Sequence, residues 1–192
     1  AMVAFHRLGI QLNIRHIPAK RALVNANLGI IDGDLARIKG VEKTYPNLVR
    51  VPEIIWVAEI NAFSKDPTIS LNGWQSLKSY SVAFIRGWVV FDRNVPKETM
   101  VNKVIYPEAL FKMLDKGRVQ LALYEKKMGL SVINKSSFKG MKAVNNSLVT
   151  TPIYIYLHKK HSDIVPKLAQ VIRNMKQDGT YRKIMQSTLG KV

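Results

Sequence analysis

Apolar and polar positions along the chain change period several times, and each change marks an element. Met2, Val3, Phe5 and Leu8 recur at helical spacing, and Gly9 reads as the stop. Ile10 to Arg15 alternates apolar and polar, which predicts a strand. Pro18 then suits the opening of a helix that runs through Arg21 to Asn27 and ends at Gly29. A short strand is expected over Ile30–Ala36, followed by a loop through Gly40, Pro46 and Asn47 to Arg50. Ile54–Phe63 is a buried strand by its run of β-formers. Trp74 and Leu77 sit in a helical turn, and Ser81–Ile85 is a strand stopped by Gly87. Pro107 and Gly117 bracket a helix over Glu108–Leu114. Val119–Leu123 is a strand, Glu125–Leu130 has helical character, and Pro152–Leu157 is a strand with Tyr154 and Tyr156 on one face. Ile164, Leu168, Ile172 and Met175 mark an amphipathic helix; Asp178-Gly179 turns the chain into a last helix over Tyr181–Leu189.

Strands alternate with helices throughout, which predicts an α/β protein with largely parallel sheets. Two sheets fit better than one, because the Ile54–Phe63 and Pro152–Leu157 strands bracket a middle section with its own strand–helix–strand set.

Composition narrows the function classes. The chain has 192 residues and no cysteine, so a disulfide framework, a thiolate metal site and a cysteine nucleophile are excluded. No run approaches the roughly 18 apolar residues of a membrane-spanning helix. The net charge of +17 invites a nucleic-acid reading, but the basic residues are spread along the whole chain. The densest clusters, Lys126-Lys127 and His158 to His161, are too short for a basic tail, so no nucleic-acid partner is expected. His6, His16, His158 and His161 form no metal-binding pair with a partner acid, and no phosphate loop, dinucleotide fingerprint or serine elbow is present. Neither a metal nor a cofactor is expected, and no catalytic set emerges.

Four stretches in order carry a family resemblance. They are Pro18–Leu23 with Gly29–Asp34, then Tyr45–Pro52, then Leu77–Gly87, and last Ala109–Ala122 with Pro152–His161 and the helix to Gly179. In that order and spacing the chain resembles the bacterial extracellular solute-binding proteins of ABC transporters, in the family (family 3) that includes the amino-acid-binding members. The resemblance implies a type 2 periplasmic-binding-protein fold: two α/β lobes, each a mostly parallel sheet flanked by helices, joined by two hinge strands. Lobe 1 would be about residues 1–57 plus 156–192, and lobe 2 about residues 59–152. It implies non-catalytic binding of a small amino acid-like, anionic or zwitterionic solute in an inter-lobe cleft. A membrane permease is the implied partner, and the full-length form would be extracytoplasmic.

The chain departs from the family by starting inside what would be its first helix. The family's first strand, central in lobe 1, is absent here. Three outcomes are expected: neighbouring strands pair directly, a second copy fills the gap as a dimer, or lobe 1 is distorted.

Site candidates follow from the resemblance, each beside a plainer reading. Arg37 follows the Asp32–Ala36 strand and could grip a carboxylate with two parallel hydrogen bonds, or be a solvated loop arginine. The family's usual carboxylate-binding arginine would fall near Thr44, where there is none, so Arg37 or Arg86 would have to take over. Gly87 permits close backbone approach and Trp88 could stack on a ligand; the alternative is a tight turn with an exposed aromatic. Tyr124 and Glu125 close a strand where relatives hold a ligand ammonium, unless Glu125 is a surface acid. Arg21 opens a helix beside the presumed cleft; His16, Trp56, Tyr154 and Tyr156 read better as structural. Two rival functions stay open: an effector-binding domain of a transcription factor or signalling receptor, and an enzyme lacking any visible acid–base pair.

Overall fold

The computed structural model describes residues 1–136 and 138–189. The chain forms two compact units. The first holds Ala1–Ile17, Arg21–Val57 and the chain from Pro152 onward; the second holds Pro18–Lys20 and Ala58–Thr151. The fold is α/β and two-lobed, as expected.

The first unit contains α1 (Met2–His6), most of α2 (Ala19–Asn27), β1 (Gly33–Ile38) and β2 (Leu48–Arg50). The last part of β8 (Val149–His158), then α6 (Ile164–Gln177) and α7 (Thr180–Leu189), complete it. Both β1 and β2 pair with β8, and both do so antiparallel. The expectation of mostly parallel pairing is therefore corrected here. The reason is chain direction: β8 comes from far along the sequence and runs against both strands, while β1 and β2 make no ladder with each other. Parallel neighbours would need a crossover connection of a dozen or more residues. Only a short loop with one 3₁₀ turn (Val41–Lys43) links β1 to β2.

Side chains alternate along β8 and sort its two faces. Ile155 and Leu157 face a core shared with Phe5 of α1, Val51, and Leu168 and Ile172 of α6. Burying each large aliphatic of that set contributes roughly 1.5–3 kcal/mol. Tyr154 and Tyr156 lie on the opposite face and are also buried. Arg7 ties the end of α1 to the turn before α7, with Nη1 2.7 Å from Asp178 and Nη2 2.8 Å from Thr180 Oγ1.

The predicted strand over Ile10–Arg15 is not formed. Its one recorded main-chain bond is the Ile10 N–H to the Phe5 carbonyl, so the alternating segment is extended without a ladder. Alternation alone does not make a strand when no edge is paired to it. Among the described residues, direct pairing of this segment with β1 is not seen, and β1 ends the strand order.

The second unit contains most of β3 (Trp56–Ser64), β4 (Ser81–Ile85), α3 (Val89–Asn94) and β5 (Met100–Val104). It continues with α4 (Pro107–Asp115), β6 (Leu121–Glu125), α5 (Lys126–Lys135) and the short β7 (Lys142–Ala143). Here the parallel expectation holds for β4, which pairs parallel with both β5 and β6. The crossovers α3 and α4 make that possible. β6 then pairs antiparallel with β3, as does β7. Sequence periodicity missed α3, β5, β2 and β7. Each is six residues or fewer, too short for a period to show.

Phe63, Phe111, Leu110, Leu114 and Ala122 build this unit's core, with Phe63 edge-on to Phe111 at 5.2 Å. Gly129 of α5 is part of that packing. A methyl added there would lie 2.3 Å from Phe63 Cζ and 3.1 Å from Phe111 Cζ. Gly129→Ala is expected to cost about 1–3 kcal/mol through overpacking, despite the better helix propensity of alanine. Thermal unfolding by circular dichroism should show a fall in Tm of roughly 2–10 °C; an unchanged or higher Tm would refute this packing.

Candidate functional site

In the second unit, β4 ends at Ile85 and the chain turns through Arg86, Gly87 and Trp88 into α3. Gly87 is buried with φ +85°, a left-handed conformation that only glycine adopts at little cost. A Cβ at this position would fall 2.5 Å from the Lys20 nitrogen and 2.8 Å from its Cα. The close approach expected at Gly87 was to a ligand; what lies against it in the structure is the chain's own Pro18–Lys20 segment.

Trp88 is half-buried. Its ring stacks on Phe91 at 5.6 Å and on Tyr124 at 4.8 Å. Tyr124 is buried, and burial pushes its hydroxyl up to about 12, with Glu108 and Glu125 adding to the effect. Glu125 is only 2% exposed. Its Oε2 accepts the Met128 N–H at 2.7 Å and so caps α5. Burial holds its carboxyl above the ordinary glutamate value, against the lowering effect of the amides of Met128, Lys127 and Glu59. Arg86 has an exposed side chain, while its own N–H is used by the Val104 carbonyl at 2.8 Å. Of the expected residues, Trp88 and Tyr124 are thus brought into contact, Arg86 and Gly87 lie in the turn that carries Trp88, and Glu125 follows Tyr124 with its carboxylate turned to the start of α5.

Asn61 was not foreseen. It sits opposite Tyr124 in the β3–β6 ladder, fully buried, and donates to the Val144 carbonyl at 3.2 Å. Its Oδ1 has no protein partner among the described residues. An asparagine inside the apolar Ile54–Phe63 run was the available signal.

In the first unit, Arg37 lies on β1 opposite Tyr154. Its Nε and Nη2 both reach Asp34 Oδ2, at 2.9 and 2.7 Å, and the two side chains are 12% and 11% exposed. The guanidinium fork is thus engaged by an acid three residues away. Beside it, the Tyr156 hydroxyl lies 2.6 Å from Glu42 Oε2 and 3.1 Å from the Ile38 carbonyl. Arg50 covers the Tyr154 ring at 4.6 Å. Glu42 and Arg50 were missed because their pairing depends on β8, more than a hundred residues later, and Asp34 because its contact with Arg37 depends on the irregularity of β1 between them. Arg21 is exposed on α2, His16 is exposed in the extended segment, and Trp56 is half-buried at the start of β3. His161 Nε2 contacts Asp32 at 2.7 Å. Among the described residues no group of three or more His, Asp or Glu is placed to hold a metal. No helix among the described residues is long and apolar enough to cross a membrane.

No family model matches the chain. An uncharacterized protein of Shewanella oneidensis is 27% identical over 193 aligned positions, spanning 95% of this chain and 72% of that protein. Among solved structures, an ancestral arginine-binding protein bound to arginine matches 98% of this chain and 85% of its own, with a TM-score of 0.82 at 20% identity. A histidine kinase sensor domain with similarity to periplasmic binding proteins also gives 0.82, at 13% identity over 97% of this chain and 82% of its own. The substrate-binding protein of an amino acid ABC transporter gives 0.77, at 17% identity over 96% of this chain and 82% of its own. At these identities the likeness shows the fold, which is that of two-lobe periplasmic-binding-protein-like structures.

Two expectations test the local geometry. Gly87→Ala is expected to displace Pro18–Lys20, since neither the Lys20 backbone nor the positive φ admits a side chain without strain. Limited trypsin digestion should then cut after Lys20 or Arg21 several-fold faster than in the unsubstituted protein; equal rates would refute the contact. For Glu42, burial works to raise its carboxyl, but the Tyr156 hydroxyl and the Gly40 N–H outweigh it, and the net shift is downward. A lowered carboxyl adds stability above its unfolded pKa and loses it as pH falls through the folded one. Tyr156→Phe is therefore expected to cost about 1.5–3 kcal/mol at neutral pH. That cost should shrink as the solution is acidified below the ordinary glutamate range, which urea unfolding at several pH values would reveal.

Proposed function

We propose that the chain binds a small amino acid-like solute, anionic or zwitterionic, without chemical conversion. The observation that carries this is the extent of the fold match: 98% of the chain follows an arginine-binding protein at a TM-score of 0.82. The group around Gly87 gives the proposal a location in the second unit. Exposed Arg86 supplies a carboxylate partner, and the half-buried Trp88 supplies an apolar edge that Phe91 and Tyr124 hold rigid. Arg37, already orientated by Asp34, is the corresponding candidate in the first unit. Tyr124 and Glu125 act by positioning Trp88 and α5 rather than by contact.

Delivery to an ABC-type permease is the role we favour, in an extracytoplasmic setting. Sensing is the second reading, and it rests on the equal fold match to a histidine kinase sensor domain. Both roles begin with the same binding step. A net charge of +17 raises the encounter rate of anionic solutes in either.

Thermal-shift screening with amino acids, small organic acids and peptidoglycan fragments tests this reading. A true ligand at a hundred times its Kd should add about 2.7 kcal/mol of stability, and so raise Tm by roughly 5–10 °C. Arg86→Ala should abolish most of that rise while leaving the ligand-free Tm unchanged. Absence of a shift with every compound would overturn the proposal.

A further inference from the structure

The outward face of α2 carries an arrangement that solute binding does not use. Arg21, Val24 and Leu28 recur at intervals of three and four, so they share one helix face, and all three are exposed. The buried residues of the helix, Leu23 and Ala26, point the other way. Leu28 is 64% exposed, and Ile30, just past the helix, is 68% exposed. These are large apolar side chains held in water at a loop tip.

Basic residues surround this tip. The Lys160 ammonium donates to the Gly29 carbonyl at 3.1 Å, between Leu28 and Ile30 in sequence. The His158 ring closes on Gly29, where an added Cβ would meet it at 3.2 Å. Lys159 is exposed beside them, and Arg21 continues the positive charge along the helix. The acid at this tip, Asp32, is engaged by Lys160 at 2.9 Å and His161 at 2.7 Å. The loop is thus both apolar at its tip and positive at its rim.

We propose that the α2 face and the Leu28–Ile30 tip form a docking surface for an anionic lipid bilayer. Leu28 and Ile30 would enter the acyl boundary while Arg21, Lys159 and Lys160 lie at the headgroup level. Basic residues flanking apolar ones are the chemistry of interfacial binding. Each cation near an anionic surface is worth about a five-fold change in partitioning at moderate salt. Charge complementarity selects this occupant. A second copy would bring another +17 chain against the same positive rim, with no acidic patch there to receive it.

The chain lacks cysteine, so a single label can be placed at will. Leu28→Cys carrying an environment-sensitive dye is expected to shift to the blue with phosphatidylcholine vesicles holding about 30% phosphatidylglycerol, and not with pure phosphatidylcholine. The same dye on Met100→Cys, an exposed apolar site in the second unit, should not respond. In co-sedimentation with the anionic vesicles, Leu28→Asp combined with Ile30→Asp should lower the partition coefficient at least about ten-fold. Circular dichroism would check that the double variant keeps its fold, and the dye experiment stands without it. Binding that salt removes but Leu28→Asp with Ile30→Asp leaves intact would overturn the proposal in favour of dispersed charge. A concentration-dependent dimer lost in the double variant would overturn it in favour of self-association. Neither readout depends on the solute, so failure here leaves the binding proposal standing.

Discussion

The first unit depends on one strand that arrives last. β1 and β2 are both registered against β8, with Gly33 opposite Leu157 and Leu48 opposite His158. Neither strand makes a ladder with the other. The approach of β1 is so close that a side chain at Gly33 would lie 2.3 Å from the Tyr156 carbonyl. β8 also supplies Ile155 and Leu157 to one core and Tyr156 to the half-buried contact with Glu42. Until β8 docks, β1 and β2 have no ladder and α6 has no sheet to cover. The loop closure that brings Tyr156 to Ile38 spans 118 residues, and closures of that length are the slow part of folding.

The second unit solves the same problem locally. Its crossover α3 returns the chain to β5 beside β4, and α4 then carries it back past β4 to β6 on the other side, so both returns give parallel pairs with β4. The site candidates of this unit lie at strand ends for that reason. The strand–turn–helix junction that places Gly87 and Trp88 is the start of one crossover, and the end of β6 places Tyr124 and Glu125 beside it. A ring stack between Trp88 and Tyr124 then joins two junctions that are 36 residues apart in sequence, a contact legible only after β4 and β6 are known to be neighbours.

What could be read from the sequence follows the same division. Elements with a long period or clear punctuation were legible: α6 from Ile164 to Met175 by its period, β4 at its observed bounds by an apolar run closed by Gly87, and α4 from its proline and glycine punctuation. Ile10–Arg15 had the right alternation and still formed no strand, because a strand is a property of two edges and only one was in view. At the site, residue types were legible and their employment was not. Arg37 could be recognised as a carboxylate-binding fork; that Asp34 holds it depends on an irregularity in β1 between those two residues. Glu125 could be placed at a strand end, but its burial as a helix cap required α5 to begin at the next residue.

The charge has a structural consequence that composition alone concealed. Among the described residues, eight of the thirteen acids make ion pairs with named cations, among them Glu53 with Arg173 and Lys176, Glu59 with Lys126, and Asp115 with Lys65. Most of these pairs are surface contacts, and such pairs contribute only about 0–1 kcal/mol each. The fold therefore rests on its two apolar cores, and the cationic excess is left over from pairing. An excess that does not hold the structure together is free to act on what approaches it. Its range is limited to about 8–10 Å by physiological salt, so dispersed cations attract anions without choosing among them. Selection has to come from what stands beside the charge. Next to Arg86 that is a rigid aromatic edge suited to a small solute. Next to Arg21 and Lys159 it is an exposed leucine and isoleucine, which suit an extended apolar boundary instead.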